Sequence, residues 1–258
     1  IHDYHWICNR INLLNSSGDV CFNIKNTDCF QCQRHIIKNK LSTDELREYS
    51  HELFKNCLKI TTPSLDVRNR FLTLFDDITF DVIPHIEHLN KNLIQKNNGH
   101  ILNICVIGAI GVHKGFDLLR KFAKFIKENR YPAKIKIIGY GLEDDENIEF
   151  LGKYKNLNEL KILLKNAQPS ILFLPSILPE TYSYTLSEMI STGLPIACFD
   201  FGAQAERLRC IGLSNNLLPF ELQFDYLNLL LYLENISKSN FNYEQKIIRN
   251  YGVDIYYH

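Results

Sequence analysis

From residue 101 onward, apolar and polar positions follow two rhythms in turn. "ILNICVIGAIG" (101–111) is a near-continuous apolar run ending in small residues, the pattern of a parallel strand buried on both faces. "FDLLRKFAKFIKENR" (116–130) then carries apolar residues at helical spacing. The alternation continues with strands "AKIKIIGYG" (133–141) and "NIEFLG" (147–152), helix "LNELKILLKNAQ" (157–168) and strand "SILFLPS" (170–176). Helix "YTLSEMISTG" (184–193), closed by Gly193, and strand "LPIACFDFG" (194–202) follow, and the tail from "DYLNLLLYLENI" (225–236) reads as closing helices. Strands and helices alternating across short loops predict a doubly wound α/β domain with a parallel sheet and right-handed crossovers.

Residues 1–90 are less regular. "DELREYSHELFKNCL" (44–58) is a helix with Ser42 or Thr43 as its N-cap, and "LDVRNRFLTLF" (65–75) is a second. "LKITTPS" (58–64) and "ITFDVIPH" (78–85) read as strands. This part is also α/β, but too short for a complete Rossmann-type unit, and it reads as the later half of one. The polar, turn-rich "NKNLIQKNNG" (90–99) is a linker. The chain therefore divides into 1–95, with a Cys-containing loop, and 96–258.

Length and composition narrow the function. A chain of 258 residues that is 45% hydrophobic can bury two cores. Lys plus Arg number 29 and Asp plus Glu number 29, so the basic excess of a nucleic-acid surface is missing, although one local basic pocket is still open to it. The chain opens on Ile1 without a leader pattern, and its longest apolar runs are too short to span a bilayer. The expectation is a soluble cytoplasmic protein that is part of a longer chain.

Ligands of open α/β sheets bind beyond the carboxyl ends of the strands. Four segments are expected to converge there. In "GAIGVHKG" (108–115), Gly108 and Gly111 permit close backbone approach, and Lys114 is a mobile charge suited to a diphosphate. Its spacing fits neither a Walker loop nor the dinucleotide fingerprint. Gly139 ends the strand of "IIGYG" (137–141). In "PETYSYTLSE" (179–188), Glu180 lies in a loop, Tyr182, Ser183 and Tyr184 lie where a helix begins and offer amides to an anion, and Glu188 falls about two turns in. In "FDFGAQAERL" (199–208), Gly202 gives close backbone approach. Plainer readings stand beside each of these: a solvated Lys114, an exposed Glu180, Glu188 paired with a lysine, and Glu206 with Arg207 as a surface ion pair.

Three of these segments, "GAIGVHKG", "PETYSYTLSE" and "FDFGAQAERL", in order and on matching elements, resemble the family 4 glycosyltransferases of the two-Rossmann GT-B class. The resemblance covers residues 101–220 well. It covers 1–90 loosely, through "HDYHWIC" (2–8) and the elements around "KITTPS" (59–64). It implies two Rossmann-like domains, with 1–95 as an incomplete acceptor side and 96–258 as the nucleotide-sugar domain. It implies transfer of a sugar, with retention, from a nucleotide-diphosphate donor to a saccharide or lipid-linked acceptor, in surface polysaccharide assembly at the inner face of the membrane. In that scheme Lys114 neutralises the diphosphate and no catalytic metal is required. Glu188 holds the ribose, Glu180 contacts the transferred sugar, and Gly108, Gly111 and the amides of Tyr182 to Tyr184 cradle phosphate. His2 faces the donor from the acceptor side. Where many members carry an arginine five residues before the lysine, this chain has Ala109. That departure keeps open a second reading, a non-catalytic nucleotide or sugar binding module of a larger protein.

Of the eight cysteines, Cys8, Cys21, Cys29 and Cys32 cluster near the start, and "CFQC" (29–32) is a CxxC. They are candidates for a structural zinc site, with free thiols or a disulfide as the alternative. His85 and His88 in "IPHIEH" (83–88) could pair on a metal or lie on a surface loop.

Overall fold

The computed structural model describes residues 1–10, 12–15, 17–22, 24–25, 29, 32, 41–85 and 93–239. The expectation for His88 lies outside them.

Six strands build the main sheet: β3 (Leu102–Ile110), β4 (Ala133–Gly141), β5 (Ile148–Phe150), β6 (Ile171–Leu174), β7 (Ile196–Phe199) and β8 (Leu217–Leu218). Their spatial order is β5-β4-β3-β6-β7-β8 and every pairing is parallel. The chain builds outward from β3 to β5, crosses back, and builds outward the other way from β6. The reversal between β3 and β6 is a topological switch point, where diverging loops leave a crevice.

Helices cover both faces, as the doubly apolar strands require. On one face, α3 (Phe116–Glu128) and α7 (Tyr226–Ser237) bury Leu119, Phe122, Leu229 and Leu233 against the sheet. On the other, α4 (Leu157–Ala167), α5 (Tyr184–Ser191) and α6 (Gly202–Cys210) bury Leu160, Leu164, Leu186, Met189 and Leu208. Ile94, in the segment expected to be a linker, belongs to this second core, and its N–H bonds to Thr192 O at 2.9 Å.

The N-terminal part has its own core of Tyr4, Ile7, Phe54, Val67, Phe71, Phe75 and Phe80. Around it lie α1 (Thr43–Lys55), β1 (Thr61–Thr62), α2 (Leu65–Leu72) and β2 (Asp81–Val82), with β1 and β2 paired in parallel. Ser42 caps α1 in a capping box. Its Oγ accepts from Glu45 N at 3.1 Å, and its own N–H donates to Glu45 Oε2 at 2.7 Å. Both strands are only two residues long, shorter than their apolar runs suggested.

Gly108 and Gly139 face each other where β3 and β4 end. Both have positive φ, 112° and 138°, and a Cβ on Gly139 would lie 2.0 Å from the Gly108 carbonyl oxygen. Gly139→Ala is therefore expected to cost about 3 kcal/mol or more, since backbone would have to move. Gly152→Ala is the control. Its φ is 95°, but a Cβ there meets nothing within 4 Å, so strain alone of about 1–2 kcal/mol applies. Urea denaturation of the two variants compares them, and equal losses would refute the backbone-contact argument.

Candidate functional site

The loops at the carboxyl ends of β3, β4 and β6 frame the crevice. After β3 a short 3-10 turn, Val112–Lys114, presents the lysine. The Lys114 ammonium pairs with Glu180 Oε1, and Ser176 Oγ donates to the same oxygen at 2.7 Å. Glu180 is only 7% exposed, which decides against the reading of it as a surface residue. A carboxylate this buried is costly without partners, and here it has a cation and a hydroxyl.

The Glu180 backbone is clamped as well. Its N–H donates to Gln204 Oε1 at 3.0 Å, and Gln204 Nε2 donates to Leu178 O at 3.1 Å. Ala203 N donates to Glu180 O at 2.9 Å. Gly202 was expected to let a ligand approach. Its close neighbour is instead the chain itself, because a Cβ there would meet Pro179 Cα at 2.8 Å and Glu180 N at 2.9 Å.

Helix α5 begins on a strained residue. Ser183, its N-cap, has φ 71° and ψ 87°, and its buried Oγ has no hydrogen-bond partner among the described residues. The first-turn amides of Tyr184 and Thr185 have no acceptor within the helix. This turn packs on the end of β3, with Thr185 Oγ1 3.5 Å from where a Cβ on Gly108 would stand. The fixed dipoles, the buried hydroxyl and Lys114 together supply the donors and positive charge that an anion would need.

Arg207 holds this turn in place. Its Nη1 donates to Tyr182 O at 3.1 Å and to Ser183 O at 2.6 Å, and its Nη2 donates to Ser187 Oγ at 2.6 Å. The guanidinium lies 4.1 Å from the centre of the Tyr182 ring, and the residue is 4% exposed. The surface ion pair read for Glu206 and Arg207 is thus corrected: Arg207 is a buried clamp, and Glu206 acts elsewhere.

Glu188 is half-buried four residues after the start of α5, just over one turn in where two were expected. One partner is Tyr154, whose Oη donates to Glu188 Oε2 at 2.5 Å. Burial, and then the carboxylate, push the Tyr154 phenol up, so it remains a donor. His113 borders Lys114, and burial followed by that positive charge lowers its imidazole below the usual histidine range.

The N-terminal part reaches the site at several points. Thr181 Oγ1 donates to His2 O at 2.7 Å, which brings the His2 backbone beside Glu180. The His2 side chain is exposed and lies 3.3 Å from Asp3. Tyr182 Oη donates to His85 O at 3.0 Å, and the His85 ring stacks on Tyr184 with centroids 5.6 Å apart. Glu206 caps α2 from across the chain, accepting from Leu65 N at 3.0 Å and Asp66 N at 2.9 Å. Glu206→Ala is expected to cost about 1 kcal/mol, as for loss of a helix cap, and less at high salt. Urea titrations at two salt concentrations test this, and unchanged stability at both would refute the cap.

The structure thus gathers Gly108, Lys114, Glu180, Tyr182, Ser183 and Tyr184 at the switch point. Gly139 supports the β3–β4 end, and Gly111, at φ −90°, needs no glycine-specific backbone. Ser176, Tyr154, Gln204 and Arg207 were not foreseen as site residues. Cys8, Cys21, Cys29 and Cys32 lie apart from the crevice. No group of three or more metal-type side chains among the described residues is set to hold an ion as it stands.

No family model matches the chain, and no curated protein matches it. Solved structures do. TarM aligns with TM-score 0.59 at 15% identity, covering 85% of this chain and 46% of that one. OtsA aligns with TM-score 0.52 at 11% identity, covering 81% and 59%. Anabaena Alr3699/HepE, solved in complex with UDP and glucose, aligns with TM-score 0.51 at 15% identity, covering 75% and 60%. The likeness is one of fold: mixed α/β with parallel sheets, as in GT-B glycosyltransferases. The chain spans about half the length of TarM.

Proposed function

We propose that the chain is the donor-binding domain, with part of the acceptor side, of a glycosyltransferase that takes sugar from a nucleotide diphosphate. The observation that carries this is the buried Glu180, joined to Lys114 and Ser176 at a switch point beside the uncapped start of α5. The neighbours of this fold are glycosyltransferases, and one of them was solved with UDP and glucose, which favours a UDP-sugar donor.

In this reading the diphosphate lies against Gly108, Gly111 and the amides of Tyr182, Ser183 and Tyr184, with the Ser183 hydroxyl donating. Glu180 occupies one of the three ammonium donors of Lys114, leaving two for phosphate oxygens. Negative charge builds on the departing phosphate as the glycosidic bond breaks, and donors already aimed at it lower the barrier. Glu180 faces the transferred sugar. Glu188, oriented by the Tyr154 hydroxyl, faces the ribose hydroxyls. His2 stands at the acceptor side, and the acceptor is a saccharide or a lipid-linked saccharide. Retention, a role in surface polysaccharide assembly and action at the inner membrane face belong to this proposal.

Ala109, standing where the related pattern carries an arginine, favours a second reading, a binding module without turnover. A panel of UDP-, GDP- and dTDP-sugars separates the two. A donor at 100 times its Kd should add about 2.7 kcal/mol of stability in a thermal-shift assay under either reading. Release of nucleoside diphosphate with an acceptor present is expected only of the transferase. No stabilisation by any donor, with no release, would overturn both.

A further inference from the structure

The sugar-transfer reading leaves the N-terminal cysteines without a task. Cys8, Cys21, Cys29 and Cys32 are each half-buried, and all four line one cavity of about 20 Å³. That is room for a single water-sized sphere or a metal ion. The other four cysteines lie elsewhere: Cys105 and Cys198 are buried in β3 and β7, and Cys57 and Cys210 are exposed.

The described chain around the cavity has little regular structure. Its described residues between Cys8 and Cys32 contain one isolated bridge, Leu14 to Val20, yet Leu13 and Ile24 are buried in the N-terminal core. Leu13 sits at φ 57°, a left-handed backbone that bulky residues rarely adopt, and its carbonyl accepts from Cys21 N at 2.8 Å. Strain of this kind persists only where the surroundings over-determine it.

Two of the sulfurs accept hydrogen bonds from arginine residues. Arg10 N lies 3.4 Å from Cys8 Sγ, two residues back along the chain, and Arg47 Nη2 lies 3.6 Å from Cys29 Sγ. Arg47 is fixed by donating to Ile7 O at 3.1 Å and Ile24 O at 3.2 Å, and Arg10 is tied to Cys32 O at 3.2 Å. Cys29 and Cys32 both have helical backbone and are three residues apart, which puts them on one side of a turn.

We propose that Cys8, Cys21, Cys29 and Cys32 bind one Zn²⁺ as a four-thiolate structural site that pins the N-terminal loop to its core. Each thiol gives up its proton to solvent and forms one bond to the metal, with no redox change. The resulting Zn(Cys)₄ unit carries two negative charges, and Arg10 and Arg47, which line the same cavity, carry two positive ones. Binding draws the sulfurs inward to about 2.3 Å from the metal. The site is independent of the sugar-transfer reading and is tested without reference to it.

The test is metal analysis of the full chain, purified without added zinc. The expected result is one zinc per chain, released by a thiol-blocking mercurial and lost in Cys21→Ser and Cys32→Ser but kept in Cys57→Ser. If the serine variants fail to fold, Co²⁺ replacement in the unmodified chain still decides, because four thiolates give intense sulfur-to-metal charge-transfer bands and tetrahedral ligand-field bands. A chain free of metal with four titratable native thiols, a Cys29–Cys32 disulfide by mass, or cobalt spectra lacking thiolate bands would each overturn the proposal.

Discussion

Replacing Lys114 by alanine is expected to slow sugar transfer about 100-fold or more, the scale of losing one donor aimed at a developing anion. In barrier terms that is about 2.7 kcal/mol. The loss should fall mainly on kcat, because the charge that Lys114 meets is largest when the phosphate departs. The variant also leaves Glu180, buried and still bonded to Ser176 at 2.7 Å, without its cation. Stability should fall as well, by about 1–3 kcal/mol. Lys114→Ala combined with Glu180→Gln removes that unpaired charge, and is expected to regain stability without regaining rate. Steady-state kinetics and urea denaturation on both variants separate the two effects. Transfer by Lys114→Ala at the wild-type rate would show that the site has been misplaced.

Arg207→Met should produce the largest structural effect, about 3–5 kcal/mol, as for removing one partner from a buried charged network. Two carbonyls and a hydroxyl, Tyr182 O, Ser183 O and Ser187 Oγ, lose a donor at once. The left-handed Ser183 then loses the shorter of the two bonds to its carbonyl, so donor KM is expected to rise with the loss of stability. Arg207→Lys should rescue poorly, since one ammonium cannot reproduce a planar fork that reaches both the Tyr182 and Ser183 carbonyls and the Ser187 hydroxyl. Arg209, on the same helix but paired with Asp200 at the surface, is the comparison. Arg209→Met should change stability by less than about 1 kcal/mol. If Arg207→Met unfolds within about 1 kcal/mol of the unaltered chain, the clamp has no energetic role.

The main sheet was readable because its strands are buried on both faces. "ILNICVIGAIG" could be little else, and Leu102–Ile110 is the strand found. Where burial is one-sided or brief, the reading weakened. β8 is two residues long and lies in a stretch that carries no alternation, so it was passed over. β1 and β2 are equally short because each pairs with only the other in the described structure. The carboxylates at 180 and 188 were visible as a motif, but their partners were not. Lys114 is 66 positions from Glu180, and the contact exists only because β3 and β6 are neighbours in space. Arg207 was the least legible. "GAQAER" looks like the polar side of a surface helix, yet Gln204 is 0% exposed and Arg207 nearly so. Both are buried because they serve backbone groups 24 to 26 residues away, which local periodicity does not register.

Glu206 and Arg207 are consecutive residues of α6, and they grip different bodies. One holds the start of α2 in the N-terminal part, and the other holds the strained turn that opens α5. A swing of the smaller body against the large sheet would therefore tug on the helix that opens the proposed phosphate site. Thermodynamic linkage makes such a lever work in both directions: whatever tightens the cradle also resists the swing, by the same free energy.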